Sequence, residues 1–457
     1  MRLTRGILSG LLWGCAASGW AQNPIVPPGV YLADPSAHVW PDGRLYVYGS
    51  RDESPDYYCS PSYRVLSSAD LRSWQLSAPS FAAVGPTDQV PYQDGPLLAP
   101  DALYANGRYY LYYCMFGRSA EGVAVGSSPT GPFTQGKPLY TKGINQIDPC
   151  VFTDDDGQRY YLWGQFSAKM AKLKPNLLEI DTTTIRENVV TQREHFFHEG
   201  GYLVKHGGLY YLVYADVSRA GVPTCLGYAT SRSPMGPYTY RGVLIDNRGC
   251  DPATWNNHGS LVEFRGQWYV FYHRATNGSL SMRKACLEPI TFRPDGSIAE
   301  VPMTSQGAAG PLAATQKLDA ARACLLRGNV RVQTVAADHE VLAGIYNGDK
   351  AAFKYLDFKA GTDTLLVRVA PGPQPSRIGL ALDDAWGPEV ATVAVPARQA
   401  AAAEWLTLRV PLKRPTGVHA LWLSFADPAR TDAYGFPKHP PGVAETELCR
   451  VDWLQFR

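Results

Sequence analysis

The sequence carries little charge. Only 18% of its 457 residues are Asp, Glu, Lys or Arg, the formal net charge is +2, and no run of basic residues stands out. Nucleic acids and anionic membrane surfaces are bound mainly through clustered positive charge, so neither is indicated as a partner. No two cysteines have the CxxC spacing, which argues against a zinc site or a redox motif.

Long helical periodicity is also missing, and only the N-terminus is apolar for any length. Residues 1–21 combine two arginines, an apolar stretch at 7–13 and small residues ending at Ala21, a pattern typical of a secretory signal. Lipoprotein attachment at Cys15 is the alternative. No other segment approaches the length of a membrane span. We therefore predict export, to the periplasm or the extracellular space, and no transmembrane segment.

Export makes disulfide bonds permissible, and the remaining cysteines are even in number. They are Cys59, Cys114, Cys150, Cys225, Cys250, Cys286, Cys324 and Cys449. Cys324 and Cys449 are a candidate pair, because they begin and end the C-terminal part. The alternative is that the cysteines are buried thiols in strands.

Aromatic residues are abundant, with 27 Tyr and 11 Trp. Two interpretations fit this wealth. Aromatic faces stack on sugar rings, and tyrosine also favours strands, so most of these residues are expected in a β-rich core.

A short phrase, a glycine turn followed by an aromatic strand, occurs five times. Examples are GRLYVYGS at 43–50 and GRYYLYYC at 107–114, and the others lie at 157–164, 208–216 and 266–274. The glycines are 64, 50, 51 and 58 residues apart, which is long enough for one four-stranded sheet per repeat. This period predicts a β-propeller of five blades.

One polar residue precedes each phrase, six to nine residues before its glycine. The set is Asp34, Asp101, Asp148, Glu199 and His258. Equivalent positions of successive blades converge on the propeller axis, so these side chains should meet there. Like charges raise each other's pKa and must be solvated, paired or bound to a cation, so a purely stabilising role is disfavoured. The alternative is that each acid only caps a turn.

The repeat of a glycine turn and an aromatic strand does not continue after residue 305. A Gly-, Ala- and Pro-rich stretch at 306–319 indicates a linker, and short alternating strands follow to the C-terminus. We therefore predict an all-β chain with a signal peptide at 1–21, a propeller at 22–305 and a β-sandwich, or jelly roll, at 320–457. The sequence does not indicate an oligomeric state.

The acids suit glycoside hydrolysis, which needs a protonated carboxyl group on the leaving oxygen and a second carboxylate. Glu199 follows Phe196, Phe197 and His198, surroundings expected to desolvate it and raise its pKa, as a general acid requires. Asp34 and Asp148 are each followed by proline, which restricts the adjacent backbone.

Residues 30–305 resemble glycoside hydrolase family 43, five-bladed propellers that remove arabinose or xylose from plant polysaccharides. The resemblance rests on five motifs in order: ADP at Asp34, APD at Asp101, IDP at Asp148, HEG at Glu199 and NNHGS at His258. It implies that Asp34 is the general base, Glu199 the general acid and Asp148 the residue that tunes and orients the acid. It also implies inversion, with the base and acid about 6.5–9.5 Å apart.

Further residues are assigned by the same resemblance. His258 matches a position near a central calcium ion, although calcium prefers oxygen ligands, and a hydrogen-bonded channel histidine is the alternative. Arg283 matches an arginine that contacts sugar hydroxyls, or is simply solvated. Asp101 is expected to line the sugar pocket. Trp163 and Phe166 are candidates for ring stacking, or alternatively core residues.

The C-terminal part, 320–457, resembles a family 6 carbohydrate-binding module. Trp386 is a candidate sugar platform on a loop of this module, and a structural buttress is the alternative role for the whole domain. The leading hypothesis is an exo-acting α-L-arabinofuranosidase that acts on plant cell-wall arabinan or arabinoxylan. A β-D-xylosidase or β-galactofuranosidase on the same fold remains open, and a non-catalytic lectin is the alternative of a different class.

Overall fold

The structure is a computed structural model. It describes residues 22–116, 121–144, 147–359, 362–399, 404–432, 437–438 and 444–457. The predicted signal peptide at 1–21 and the alternative attachment site at Cys15 lie outside the described residues, so export stays a prediction. Within the described part, no helix is long and apolar enough to cross a membrane.

Strands dominate the N-terminal part of the chain. They are β1 (Ala33–Val39), β2 (Leu45–Ser50), β3 (Ser62–Tyr63), β4 (Leu66–Ser68), β5 (Trp74–Leu76), β6 (Phe81–Ala82), β7 (Asp101–Ala105), β8 (Arg108–Cys114), β9 (Glu121–Gly126), β10 (Thr134–Pro138), β11 (Cys150–Thr153), β12 (Arg159–Trp163), β13 (Lys169–Lys172), β14 (Phe197–His206), β15 (Leu209–Asp216), β16 (Cys225–Ser231), β17 (Thr239–Asp246), β18 (Ser260–Phe264), β19 (Gln267–Thr276) and β20 (Ser279–Ile290). The helices are a single turn, α1 (Gln192–His195), and short 3₁₀ turns at Gly85–Thr87, Thr182–Thr184, Gly307–Ala309, Ala320–Arg322 and Pro428–Arg430.

These strands build five antiparallel sheets in sequence order, as a five-bladed propeller requires. The sheets are β1-β2-β4-β5, β7-β8-β9-β10, β11-β12-β13, β14-β15-β16-β17 and β18-β19-β20, and the short strands β3 and β6 pair with each other. The first strands touch around a ring: β1 contacts β7, β7 contacts β11, β11 contacts β14, β14 contacts β18, and β18 contacts β1. The fold prediction is confirmed.

The aromatic phrases supply the layers between blades. Each blade is covered on both faces, so successive residues of its second strand enter different hydrophobic clusters. Tyr112 packs toward the third blade, with ring centroids 5.8 Å from Tyr161, while the adjacent Tyr113 packs 4.8 Å from Phe81 on the side of the first blade. Most of the tyrosines are therefore core residues, as strand propensity indicated.

The chain's beginning closes the ring. The segment before β1 runs along β20, where the Ile25 amide donates to the Ala285 carbonyl at 2.9 Å. The buried Asn23 side chain continues this pairing, because its Oδ1 accepts from the Leu287 amide at 2.9 Å. The first and last parts of the propeller are thus joined in the fifth blade, which removes an open sheet edge.

The C-terminal part is a two-sheet sandwich. Its strands are β21 (Leu312–Ala313), β22 (Leu318–Asp319), β23 (Leu325–Arg327), β24 (Arg331–Ala336), β25 (His339–Ala343), β26 (Lys350–Phe358), β27 (Thr364–Pro371), β28 (Ser376–Leu382), β29 (Glu389–Val395), β30 (Leu406–Pro411), β31 (Gly417–Ala426) and β32 (Cys449–Phe456). One sheet has the order β21-β26-β31-β28-β29, with β23 also on β26. The other has the order β24-β25-β32-β27-β30, with β22 also on β32. Side chains such as Phe353 and Val451 fill the core between the sheets.

Residues 306–319, expected as a linker, contain strands of this sandwich. β21 pairs in parallel with β26, and β22 pairs with β32. The sandwich also binds the propeller directly. A buried ion pair joins Lys284 Nζ to Glu340 Oε1 at 2.5 Å, Glu340 also accepts from the Gly29 amide, and the Leu326 amide donates to the Gly249 carbonyl at 2.6 Å.

The disulfide expectation is wrong for the described cysteines. Cys59, Cys114, Cys150, Cys225, Cys250, Cys286, Cys324 and Cys449 are all free and buried. Cys324 and Cys449 therefore do not clamp the C-terminal part. Cys324 packs instead into the hydrophobic cluster of the fourth and fifth blades, and the thiols act as small apolar side chains.

Replacing Asn23 with alanine should destabilise the protein by about 3 kcal/mol or more, because it leaves buried groups without partners. Asn23 Nδ2 donates to the carbonyls of Leu287 and Thr304 and to Glu288 Oε1, at 2.9, 3.1 and 2.9 Å. Chemical denaturation measures the loss. Lys137→Ala, at an exposed position of β10, is the control and should change the free energy of unfolding by less than about 0.5 kcal/mol. Equal losses in the two variants would contradict the closure role of Asn23.

Candidate functional site

A pocket of about 230 Å³ opens where the innermost strands begin. Its lining is Asp34, Tyr58, Cys59, Leu98, Ala99, Phe116, Ile147, Asp148, Gln165, His198, Glu199, Trp255, Asn256, His258 and Arg283. Four of the five polar residues that recur in register therefore meet in one cavity. The volume is below the roughly 300–1,000 Å³ typical of pockets for drug-sized ligands, so the space suits a single sugar unit.

Two of the acids are presented by unusual backbone. Asp34 has φ of 52° and Asp148 has φ of 63°, both in the left-handed region. Each precedes a proline, and the strand pairing of β1 slips between Ala33 and Ser36, next to Asp34. Left-handed backbone at a residue other than glycine costs about 1–3 kcal/mol and is concentrated at functional sites. The two carboxyl groups are thus turned into the channel by local geometry that a regular strand would not give.

Asp34 is held as a carboxylate. Arg283 Nη1 donates to its Oδ1 at 2.8 Å, and the Ser50 hydroxyl donates to its Oδ2 at 2.6 Å. Burial by itself would raise the pKa of this group. The charge of Arg283, together with His258, His273 and Ser50, outweighs burial and lowers the pKa of Asp34 to about 2. The carboxylate is therefore ionised at any ordinary working pH.

Arg283 does more than line the pocket. Its guanidinium lies between Asp34 and a second buried acid, Asp52, which accepts from Arg283 Nε and Nη2 at 2.9 Å each. The Tyr58 ring lies 4.9 Å from the guanidinium carbon. The arginine is thus a partner of carboxylates rather than a solvated side chain.

His273 is a site residue that sequence patterns do not reveal. Its Nδ1 accepts from the Asp34 amide at 3.2 Å. A backbone N–H only donates, so the ring proton is assigned to Nε2, which faces the backbone carbonyl and Oδ1 of Asn256 at 3.2 Å. Burial, with the charge of Arg283, lowers the pKa of His273 to about 3. A neutral imidazole therefore supports the backbone of Asp34.

Asp148 and Glu199 are neighbours with different surroundings. Burial raises the pKa of Asp148 well above its ordinary value, and the charges of Glu199 and Asp34 add to this. Asp148 Oδ2 accepts from the Gly200 amide at 3.0 Å, which fixes the backbone next to Glu199. Glu199 keeps 13% of its side chain exposed to the pocket, and its Oε2 accepts from Gln165 Nε2 at 2.8 Å.

Asp101 lies apart from the pocket, although its register is the same. It is buried and accepts from the Ser36 hydroxyl at 2.5 Å and from the Val151 amide at 2.6 Å, and His38 Nε2 is 2.6 Å away. These contacts join the first strands of the first three blades. The structure therefore places Asp101 among groups that hold the channel together, not in the lining expected from the sequence.

The exposed aromatic rings differ from those expected. Trp163 is completely buried, and its Nε1 donates to the Ile144 carbonyl at 2.8 Å, so it has no face open to a ligand. Phe166 is exposed outside the lining and meets the His198 ring edge-on, with centroids 5.3 Å apart. Phe116 and Trp255, which are 61% and 47% exposed, line the pocket instead.

The residues around His258 do not fit a calcium site built from protein ligands. Calcium takes about six to eight oxygen ligands. In the part of the chain that is described, no group of three or more His, Cys, Asp or Glu side chains is placed to hold a metal ion. His258 Nδ1 is 3.5 Å from Asp34 Oδ1, an oxygen already bound by the Arg283 cation. Calcium at His258 stays a prediction.

Comparison with known proteins places this site in a family. The model of glycosyl hydrolases family 43 matches residues 21–298, more than half of the chain. The chain belongs to glycoside hydrolase family 43. It is therefore a glycosidase, and the lectin alternative is disfavoured. The model of the family 6 carbohydrate-binding module matches residues 326–438, as the resemblance implied.

Several known proteins are similar to this chain over long stretches. A xylosidase/arabinosidase of Thermoclostridium stercorarium is 35% identical over 350 residues, which cover 66% of this chain and 72% of the relative. An arabinoxylan arabinofuranohydrolase of Bacillus subtilis is 28% identical over 468 residues, 88% of this chain and 89% of its own. The crystal structure of a family 43 arabinoxylan arabinofuranohydrolase from Bacillus subtilis in complex with cellotetraose covers 96% of this chain and 99% of its own, with a TM-score of 0.54 and 26% identity.

Trp386, the candidate platform of the C-terminal module, lies on the loop between β28 and β29. It is 65% exposed and lines a separate cavity of about 550 Å³ on the sandwich. Lys350 Nζ lies 3.9 Å from the centroid of its ring. Sugar binding at Trp386 stays a prediction.

Because His273 stays neutral in the folded protein, the free energy of unfolding of this family 43 enzyme should depend on pH. In the unfolded chain this histidine gains its proton near pH 6.5, but in the folded protein only near pH 3. This histidine therefore lowers the free energy of unfolding by about 1.4 kcal/mol for each pH unit below 6.5. The destabilisation caused by His273→Gln should shrink by that amount per unit between pH 6.5 and 4.5, measured by urea denaturation.

Val270→Ala is the control for that measurement, because it removes a buried apolar group from the same strand, β19. Its destabilisation should be the same at every pH in this range. A constant difference between wild type and His273→Gln would show that the histidine does not stay neutral.

Proposed function

We propose that this chain is an exo-acting, inverting α-L-arabinofuranosidase that removes terminal arabinose from side chains of plant arabinoxylan or arabinan. In this proposal Asp34 is the general base, Glu199 is the general acid, and Asp148 orients and tunes Glu199. The observation that carries the proposal is the contrast between the two carboxyl groups in one small pocket. Asp34 is buried, paired and ionised, whereas Glu199 is unpaired with arginine and faces the cavity.

The ionised Asp34 suits the base. Its low pKa, about 2, keeps the carboxylate available to take a proton from water as that water attacks the anomeric carbon. Glu199 gives its proton to the leaving oxygen as the glycosidic bond breaks. The sugar is released with inverted configuration, and solvent returns both groups to their starting states.

Asp148 supports the acid in two ways. Burial and the charge of Glu199 raise the pKa of Asp148, so the two neighbouring carboxyl groups do not both ionise readily and the pair retains a proton for the acid step. The bond from the Gly200 amide to its Oδ2 fixes the backbone that follows Glu199. We propose that this contact aims the Glu199 side chain at the leaving oxygen.

The relatives and the pocket together favour arabinose from a branched polymer. The relative aligned over 88% of this chain is named an arabinoxylan arabinofuranohydrolase, and a cavity of about 230 Å³ suits one sugar. Exposed Trp255 and Phe116 at the pocket supply faces on which a further sugar ring stacks. A β-D-xylosidase is the second candidate, because the relative with 35% identity is named a xylosidase/arabinosidase. A β-galactofuranosidase is a third, because a 26% identical relative from Aspergillus niger bears that name.

Assay of the purified protein on nitrophenyl glycosides and on arabinoxylan tests sugar and roles together. We expect the highest kcat/KM on nitrophenyl α-L-arabinofuranoside. Asp34→Asn should lose about 10²–10⁴-fold on every substrate, because water then has no base. Glu199→Gln should lose that much on arabinoxylan but much less on nitrophenyl glycosides, because nitrophenolate leaves without a proton.

Glu263→Gln is the control variant for these assays, since Glu263 is exposed on β18 and lies outside the pocket lining, and it should keep wild-type rates. Preference for the xyloside would overturn the arabinose assignment. Equal losses of Glu199→Gln on both kinds of substrate would overturn its role as general acid.

Stereochemistry is an independent check. Early-time proton NMR of arabinose released from the α-linked substrate should show the β anomer first, because a base and an acid that flank the bond deliver water to the opposite face. The α anomer appearing first would mean that a carboxylate acts as nucleophile, which contradicts the role given to Asp34.

A further inference from the structure

We infer that Asp52 is a positioning residue of this enzyme, which fixes the Arg283 guanidinium against Asp34. The inference rests on the proposed role of Asp34 as general base. Asp52 lies just after β2, outside the set of acids that recur in register, and no sugar needs to touch it for this role.

The contacts of Asp52 go mainly to one partner. Its Oδ2 accepts from Arg283 Nε and from the Arg283 amide, both at 2.9 Å, and its Oδ1 accepts from Arg283 Nη2 at 2.9 Å. The Cys59 amide donates weakly to the same Oδ1 at 3.3 Å. Asp52 is almost fully buried. A two-pronged contact of this kind sets the plane of a guanidinium as well as its position.

The two-pronged contact with Asp52, called the fork below, uses Arg283 Nε and Nη2 and leaves Nη1 to reach Asp34. Arg283 Nη1 donates to Asp34 Oδ1 at 2.8 Å, while Tyr58 covers the guanidinium and Cys59 Sγ is 3.5 Å from Nη2. An arginine side chain has several rotatable bonds, so one contact to Asp34 would not hold it. Asp52 supplies the second contact that removes this freedom.

The loop that carries Asp52 is itself tied down. The hydroxyls of Ser279 and Ser281 on β20 each lie 3.0 Å from the Pro55 carbonyl, and donate to it. Arg283 belongs to the same strand. The loop is therefore bound to the strand that carries the arginine, which is what a positioning contact needs.

The negative charge of Asp52 and its contact with Arg283 predict opposite effects on the pKa of Asp34 when Asp52 is replaced. Its negative charge, taken by itself, would raise the pKa of Asp34, so losing it would lower that pKa further. Losing the fork instead lets Arg283 move away, which raises the pKa of Asp34 toward its ordinary value. The groups facing Asp34 are Arg283 and His273 from the fifth blade, His258 and Asp148 from the channel, and Tyr58, Cys59 and Asp52 from the loop.

The pH profile of kcat/KM tests the inference, because a merely structural role of Asp52 would not move it. Profiles are recorded between pH 3 and 7 on whichever nitrophenyl glycoside the wild type cleaves best. Wild type should have no acid limb from Asp34 in this range. Asp52→Asn should acquire one with an apparent pKa near 4, the ordinary value of an aspartate, so that activity falls to about half at pH 4 and recovers at pH 6.5.

A double-mutant cycle makes the test specific to the Arg283 contact. Arg283→Lys keeps the charge but loses the fork, so it should show the same acid limb. Adding Asp52→Asn to it should move the limb no further, because the two residues act through one contact. Asp154→Asn is the control and should keep the wild-type profile. Asp154 lies outside the pocket lining, and its carboxylate accepts from Lys205 Nζ at 2.8 Å.

An Asp52→Asn profile that is unchanged from the wild type, or whose acid limb lies at lower pH, would overturn the inference. If that variant does not fold, Asp52→Glu, which keeps the charge but displaces it, replaces it under the same criterion. Asp34→Asn retaining wild-type rates would instead overturn the proposed function, and preference for another glycoside would overturn only the choice of sugar.

Discussion

The contact between Arg283 and two buried carboxylates is the interaction on which the site depends. Asp34 and Asp52 are both removed from solvent, and one guanidinium lies between them. Removing one partner of a buried ion pair costs about 3–5 kcal/mol, because the remaining charge stays unpaired. The same contact makes Asp34 strongly acidic. Both the stability of the site and the ionisation of Asp34 therefore depend on Arg283. His258, His273 and Ser50 add smaller effects on the pKa of Asp34.

The propeller was predictable because its signals are local and repeated. A glycine turn followed by an aromatic strand can be found five times in the sequence, and the polar residue before each phrase then follows from register. Asp34, Asp148, Glu199 and His258 were found in this way. Asp101 shares the register but not the pocket, since Ser36, His38 and Val151 engage its carboxylate.

The remaining site residues lack such a signal. Asp52 lies in an irregular loop, and His273 is one of many buried residues on β19, so neither has a periodic position. Trp163 shows the same limit, because both faces of a blade strand are buried, and Trp255 lies in the loop before β18, where no periodic pattern marks it. An even number of cysteines likewise gives no information on geometry, and all eight described thiols are free.

The closure of the ring by the segment around Asn23 has a consequence for how the chain is made. This segment is synthesised early, yet its partner strand, β20, ends only at Ile290. A nascent chain that has reached the fourth blade has nowhere to place its first residues. The leading segment must therefore wait without its partner until the last blade arrives, whereas each intervening blade pairs its own consecutive strands. Completion of the propeller is coupled to nearly its whole length, and a prematurely ended chain has no closed ring to adopt.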